Sequence, residues 1–346
     1  METDTTGGES TDASDTEQGF QLGEVVWGQR GGNAARTRAA DAEGPTTAEP
    51  SSYSLSTSNE PVFTRNAVVA DGQVLDTADG SVVRELPASS RVTPVVTDGT
   101  YVAATEAGLV AADVTAGEQL WEATTRDVPT ALVSTADTVV AGVGQGRFTA
   151  VDLANGEELW SVEETVETEF MFGIAAGKLF HKSGASIAAR DLSDGSVPFY
   201  LSDTDGRVGP NGGVYVYAPR GKLRKHRASD GSQQWGVDTA RPMAVDDDHV
   251  YALGGDGIGA TDELRALSVE DGAEVWSVEL EPNTVAVGRD RLFAGLDERV
   301  SVRSTASGEE QLRFTQGADE LAAGSGALAV SEQLSSGTTV LTDTEG

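Results

Sequence analysis

The chain contains no cysteine. Disulfides, thiolate zinc sites, covalent haem attachment and cysteine nucleophiles are therefore excluded. Histidine is scarce: His181, His226 and His249 are all there are, and no two share a spacing that would chelate a metal from one helix or hairpin. No run of about 18 apolar residues occurs, so no helical membrane span is expected. Positive charge is also in short supply. Against 56 acidic residues stand 24 basic ones, for a net charge of -32. Only Lys178, Lys182, Lys222 and Lys225 are lysines; the remaining basic residues are arginines. Such a surface repels nucleic acid and anionic lipid, and neither is expected as a partner.

What is present fits a globular chain, with 38% hydrophobic and 23% charged residues over 346 positions. Unscreened, so acidic a molecule would repel itself, which points to very salty surroundings. The composition resembles that of haloarchaeal proteins. Residues 1–20 are acidic and rich in Ser, Thr and Gly, with almost nothing to bury, and are expected to be a disordered linker. They lack the pattern of a signal peptide. They resemble the acidic linker that follows the lipobox cysteine of haloarchaeal surface lipoproteins. That resemblance implies a lipid anchor upstream of residue 1 and a place on the outer face of the cell membrane. The other reading is a tail on a cytoplasmic protein.

The remaining sequence is a repeat. The phrase "AVDLANGEELW" (150–160) returns as "AADVTAGEQLW" (111–121), "ALSVEDGAEVW" (266–276) and "KHRASDGSQQW" (225–235), with further copies that lack the Trp. Its glycine falls at Gly80, Gly117, Gly156, Gly195, Gly231, Gly272 and Gly308, 36 to 41 residues apart, and an eighth copy ends at Gly346. Within each unit, apolar runs of four to six residues alternate with Gly and Asp turns, and helical periodicity never persists. Four short antiparallel strands per unit of about 40 residues describe a propeller blade. The expected fold is all-β, an eight-bladed propeller over residues 21–346, with seven blades as the alternative. The last unit lacks an outer strand, which a strand within residues 50–57 would supply. The expected molecule is a monomer.

The phrase has a mechanical reading. Gly117, Gly156, Gly231 and Gly272 sit in the hairpin between the third and fourth strands, where positive φ favours glycine. Asp76, Asp113, Asp152 and Asp191, each four residues before the glycine of its copy, can bond the turn backbone. Trp121, Trp160, Trp235 and Trp276 lie on the outer strand, placed to bury a ring against the neighbouring blade.

The pattern A-x-D-x-x-x-G-x-x-x-W resembles the tryptophan-docking repeat of the PQQ-like, quinoprotein-type β-propellers. "WGQRGGNAART" (27–37) resembles the W-x-x-x-R-G-D-x-A-x-T entry segment of many of them, with Asn33 where Asp is common. The resemblance implies either a catalytic member or a scaffold. Catalytic members hold PQQ and Ca²⁺ on the propeller axis with an Asp base, a Glu, an Asn, an Arg and often a vicinal disulfide. No such set is matched here and the disulfide is impossible, so no cofactor, metal or catalytic residue is assigned. In length and repeat the chain is similar to the bacterial assembly lipoprotein of the BamB type, which works by docking partners. A non-catalytic protein-interaction scaffold is therefore expected, with a small-ligand or PQQ-dependent site in the central channel as the alternative.

Two further stretches tempt an assignment. "VDDDHV" (245–250) occupies the place of a strand turn in other units and is read as one. "GGDGIGATDEL" (254–264) is a long loop without the strand-to-helix context of a phosphate site. One departure is more specific. "PRGKLRKHR" (219–227) gathers Arg220, Lys222, Arg224, Lys225 and Arg227 on an acidic background. Either these side chains pair with neighbouring carboxylates, or they form an acidic-partner or anion contact near the axis.

Overall fold

The computed structural model describes residues 22–343 except 34–37, 58, 145, 165–170, 203–204, 219–221, 239–240, 255–262 and 332–336. Every regular element in it is a strand. The strands form eight antiparallel sheets arranged as the blades of a propeller. The blades run Val62–Glu85, Val95–Thr124, Pro129–Glu163, Met171–Leu201, Asp205–Asp238, Arg241–Glu279, Thr284–Phe314 and Glu320–Thr342. We number them 1 to 8. Each is a meander whose first strand lines the axis and whose last lies on the rim. The segment 1–20 lies outside the described residues.

Blade 8 contributes only three strands of its own. Ser51–Leu55 pairs with Thr338–Thr342 in unbroken register, from Ser51 opposite Thr342 to Leu55 opposite Thr338, and becomes its outer strand. Both ends of the chain thus enter one sheet, and the ring has no unpaired seam. Blade 1 carries a fifth strand, Val25–Trp27, on the axial side of its first strand.

The core lies between blades. One cluster joins Val140, Phe148 and Ala150 of blade 3 to Met171, Ile174 and Leu179 of blade 4; another joins Tyr215 and Leu223 of blade 5 to Val250 and Leu267 of blade 6. A single blade buries neither face alone, so each is stabilised by its two neighbours.

Candidate functional site

The repeated phrase forms one turn seven times. Gly80, Gly117, Gly156, Gly195, Gly231, Gly272 and Gly308 all have φ between 72° and 76°. This is the left-handed region, open to glycine at little cost. Each glycine N–H donates to the carbonyl four residues back, as Gly156 does to Asp152 at 2.9 Å. The Asp152 side chain also accepts from Ala154 N (2.9 Å) and Asn155 N (3.2 Å), and Asp113 does the same for Thr115 and Ala116. A bulge follows the turn in six blades. It sets Ala111, Ala150 and Ala266 directly opposite Trp121, Trp160 and Trp276. A small residue there leaves room for the indole.

Each indole is laid on the turn glycine of the next blade. A β-carbon at Gly156, Gly195, Gly272 or Gly308 would meet the ring of Trp121, Trp160, Trp235 or Trp276 at 2.6 to 2.9 Å. The indole N–H donates to the carbonyl three residues before that glycine: Trp121 to Leu153, Trp160 to Leu192, Trp235 to Val269 and Trp276 to Thr305, at 2.6 to 3.1 Å. Where the Trp is missing, another side chain occupies its place. Phe199 covers Gly231, Arg84 covers Gly117, and Tyr53 of the closing strand covers Gly80. Arg190, His226 and Arg303 stand one residue before the usual Asp position, and each bonds the carbonyl of its own turn glycine. These are wall contacts, made by polar groups that would otherwise be stranded.

The basic stretch is not near the axis. Lys222–Arg227 is the third strand of blade 5, one strand in from the rim. Lys222 pairs with Asp238 at 2.7 Å and Arg227 with Asp230 at 3.4 Å. Arg224 lies with Lys222 in a shallow rim groove that Gln233 and Gly236 also line. Lys225 stands opposite Trp235, where other blades have Ala, and is 8% exposed. Its Nζ donates to Val269 O at 2.7 Å, the carbonyl that Trp235 also reaches. Burial lowers its pKa. Lys225 is thus a blade-5/blade-6 contact, withdrawn from any partner. Arg220 lies outside the described residues, as does most of the 254–264 loop. In 245–250, Asp246 accepts from the backbone of Asp248 and His249, which closes a strand turn. Among the described residues no three His, Asp or Glu side chains converge as a metal site.

The channel holds what sequence reasoning missed. Residues 28–33 and 38–44 form a strap against one end of it, bonding inner strands of blades 2 and 3 and of blades 7 and 8. Gly28 O accepts from Val96 N, and Gln29 makes two bonds to the backbone of Ser134. Arg38 and Ala40 bond Val287, and Gly44 bonds Gly324. Thr46 and Thr47 then dock on the Asp343 carboxylate. Under the strap, Glu60 is 3% exposed; its Oε1 accepts from Trp27 Nε1 (2.6 Å) and Gly31 N (2.7 Å). Burial raises its pKa, against the lowering effect of Arg38 and of these two donors. Across the channel, Arg207 donates to Met243 O and Gly206 O, and Arg241 pairs with Asp205 at 3.3 Å. Burial, together with Arg38, Arg241 and Arg30, lowers the Arg207 pKa to about 10, with Asp205 opposing. Nothing periodic in the sequence marks these residues, because each comes from a different blade or from the strap.

Eight blades of four strands, docked ring-on-glycine and closed by a strand from the other terminus, define a PQQ-like β-propeller. Residues 18–197 and 179–341 match the family described as outer membrane protein assembly factor BamB, and the chain belongs to that family. The crystal structure of BamB from Moraxella catarrhalis is similar over 85% of this chain and 99% of its own, at 15% identity and a TM-score of 0.62. The quinohemoprotein alcohol dehydrogenase of Comamonas testosteroni is similar over 93% of this chain and 81% of its own, at 14% identity and a TM-score of 0.66. The computationally designed Ika8 protein covers 88% of this chain at 14% identity, with a TM-score of 0.63. At such identities the likeness is one of fold. No curated protein sequence matches the chain.

Proposed function

We propose that the chain is a non-catalytic protein-interaction scaffold, displayed on the outer face of the cell membrane in a saline habitat. The family match along nearly the whole chain carries this reading, since the family is described by an assembly role. The rim adds physical support. Val82, Leu120, Leu159, Tyr200 and Val275 lie on the outer strands of blades 1, 2, 3, 4 and 6, and each is about half exposed. Blades 5 and 7 carry Gln234 and Gln311 on theirs. Apolar side chains at the edge of so acidic a disc suit contact with another protein. Lys222, paired with Asp238, and Arg224 in the same groove offer such a partner a second, charged contact on blade 5. The test is crosslinking in cells at native salt, followed by identification of the partner and of the crosslinked blades. A partner lost on Leu120→Glu with Leu159→Glu, in protein of unchanged thermal midpoint, is the expected result. Crosslinks that survive both changes would remove the rim from the account.

A further inference from the structure

One buried carboxyl group fastens the strap to the propeller wall. Glu60 stands on the segment that leads into the first strand of blade 1 and is 3% exposed. Its Oε1 accepts from two donors where the strap begins, Trp27 Nε1 at 2.6 Å and Gly31 N at 2.7 Å. Gly31 passes this hold onward. Its carbonyl accepts from Arg38 N at 2.9 Å, and Arg38 O in turn accepts from Val287 N of blade 7 at 2.7 Å. Arg38 sits at a φ of 57°, where a residue other than glycine is strained and stays only while its neighbours hold it. Glu60 therefore fixes the first half of the strap directly and the start of the second half through Gly31. Gln29 and Gly28 add bonds to Ser134 and Val96, but none of those groups titrates.

Only one Glu60 oxygen is used. Oε2 is buried and has no hydrogen-bond partner among the described residues. An ionised carboxylate in this position keeps its charge from water with half of its acceptor capacity unmet, whereas the neutral acid loses much less. We propose that Glu60 is a proton-operated latch: with a proton on Oε2 it holds the strap down, and loss of that proton to solvent frees Trp27 and Gly31 so that water reaches the carboxylate. Burial is the largest influence on Glu60 and raises its pKa; Arg38, Trp27 and Gly31 oppose it, and Glu320 adds to it. The charged groups around Glu60 are Arg30 and Arg38 from the strap and Glu320 from blade 8, with Asn59, Thr93 and Thr130 as polar neighbours. The three histidines of the chain stand on strands of blades 4, 5 and 6 and are not among them. The fastened strap keeps a proton that the loosened one gives up. Fastening is therefore complete below the ordinary glutamate value of 4.5 and weakens as pH rises above it, until Glu60 ionises in place. The latch concerns the channel and does not rest on the scaffold reading, which concerns the rim.

The test is amide exchange of the full chain at fixed salt, read by mass spectrometry at a series of pH values and corrected for the intrinsic pH dependence of a free amide. The opening constant of Trp27–Gly32 should rise with pH by up to about tenfold per unit, because each opening releases one proton. Thr138–Val143 of blade 3, far from Glu60 in the chain and free of titratable side chains, should show no such rise. Glu60→Gln keeps a carbonyl that accepts from Trp27 and Gly31, so its strap should stay fastened with an opening constant independent of pH. Glu320→Gln removes a negative neighbour that favours the proton on Glu60, so the rise should end at lower pH than in wild type. A wild-type opening constant that does not change with pH, or the same rise in Glu60→Gln, would overturn the proposal. Should Glu60→Gln not fold, Glu320→Gln decides, and a rise ending at the wild-type pH would overturn it. A failed scaffold test would leave these results standing, because the rim and latch variants do not overlap.

Discussion

The indole of Trp160 lies on the α-carbon of Gly195 in the next blade, so close that a side chain at Gly195 would meet the ring at 2.9 Å. The same indole donates to Leu192 O at 2.6 Å. One residue therefore supplies burial, shape and a hydrogen bond to the seam between blades 3 and 4. Trp160→Ala should cost roughly 3–5 kcal/mol, while Trp160→Phe, which keeps most of the ring, should cost about 1 kcal/mol for the bond. Gly195→Ala should destabilise as well, because the new methyl meets both the ring and a φ of 73°. Denaturant titration of the three variants at fixed salt checks the order. Equal stability of Trp160→Ala and wild type would remove the docking role.

Lys225 gives the opposite expectation. It occupies the place where blades 2, 3 and 6 have Ala111, Ala150 and Ala266 opposite the docking Trp. Its acceptor, Val269 O, is also served by Trp235 at 3.1 Å. Lys225→Ala therefore strands no carbonyl and relieves the burial of a charge, so stability should hold within about 1 kcal/mol or rise. A loss of several kcal/mol in the melting curve would show that the ammonium is a structural pin.

Acid should act through His181. Its ring is buried beside Phe148 with centroids 4.5 Å apart, and its Nε2 has no partner among the described residues. Burial lowers its pKa from 6.5 to about 4. Between those values the unfolded chain binds a proton that the folded chain refuses, so stability falls as pH falls from 6.5 to about 4. The loss reaches at most about 3 kcal/mol. His181→Gln should flatten this part of the stability–pH curve. A wild-type curve flat over the same window would contradict the assignment.

Closure depends on Tyr53. Its ring covers Gly80 of blade 1 from the outer strand of blade 8, the place that Trp fills elsewhere. Tyr53→Ala should speed amide exchange in Ser51–Leu55 and Thr338–Thr342 well before it affects blades 3 and 4. Uniform acceleration around the ring would mean that the molecule opens as one unit and the seam is not its weak point.

The blades were legible in the sequence because a turn that needs glycine and a seam that needs a ring recur in phase. The eight-bladed count and the four-stranded antiparallel blades follow from that spacing. The basic stretch could not be placed the same way. Composition shows that Lys222 to Arg227 reverse the local sign, but only the register shows Lys225 turned inward and Lys222 paired with Asp238. The channel was hidden for a different reason. Arg30, Arg38, Glu60 and Arg207 are far apart in the chain, and each looks like an ordinary charged residue in its own segment. They meet because closing a ring brings eight first strands and one strap to a common axis.

The central claim is that the rim of this closed wall docks a protein partner. The most direct measurement is crosslinking at native salt with mass-spectrometric mapping, on wild type and on a Lys222→Glu, Arg224→Glu variant beside the Leu120→Glu, Leu159→Glu pair. The account predicts one dominant partner with crosslinks confined to outer strands, lost in the apolar pair and weakened in the charge-reversed variant. Crosslinks scattered over both faces, or unchanged in both variants, would contradict it.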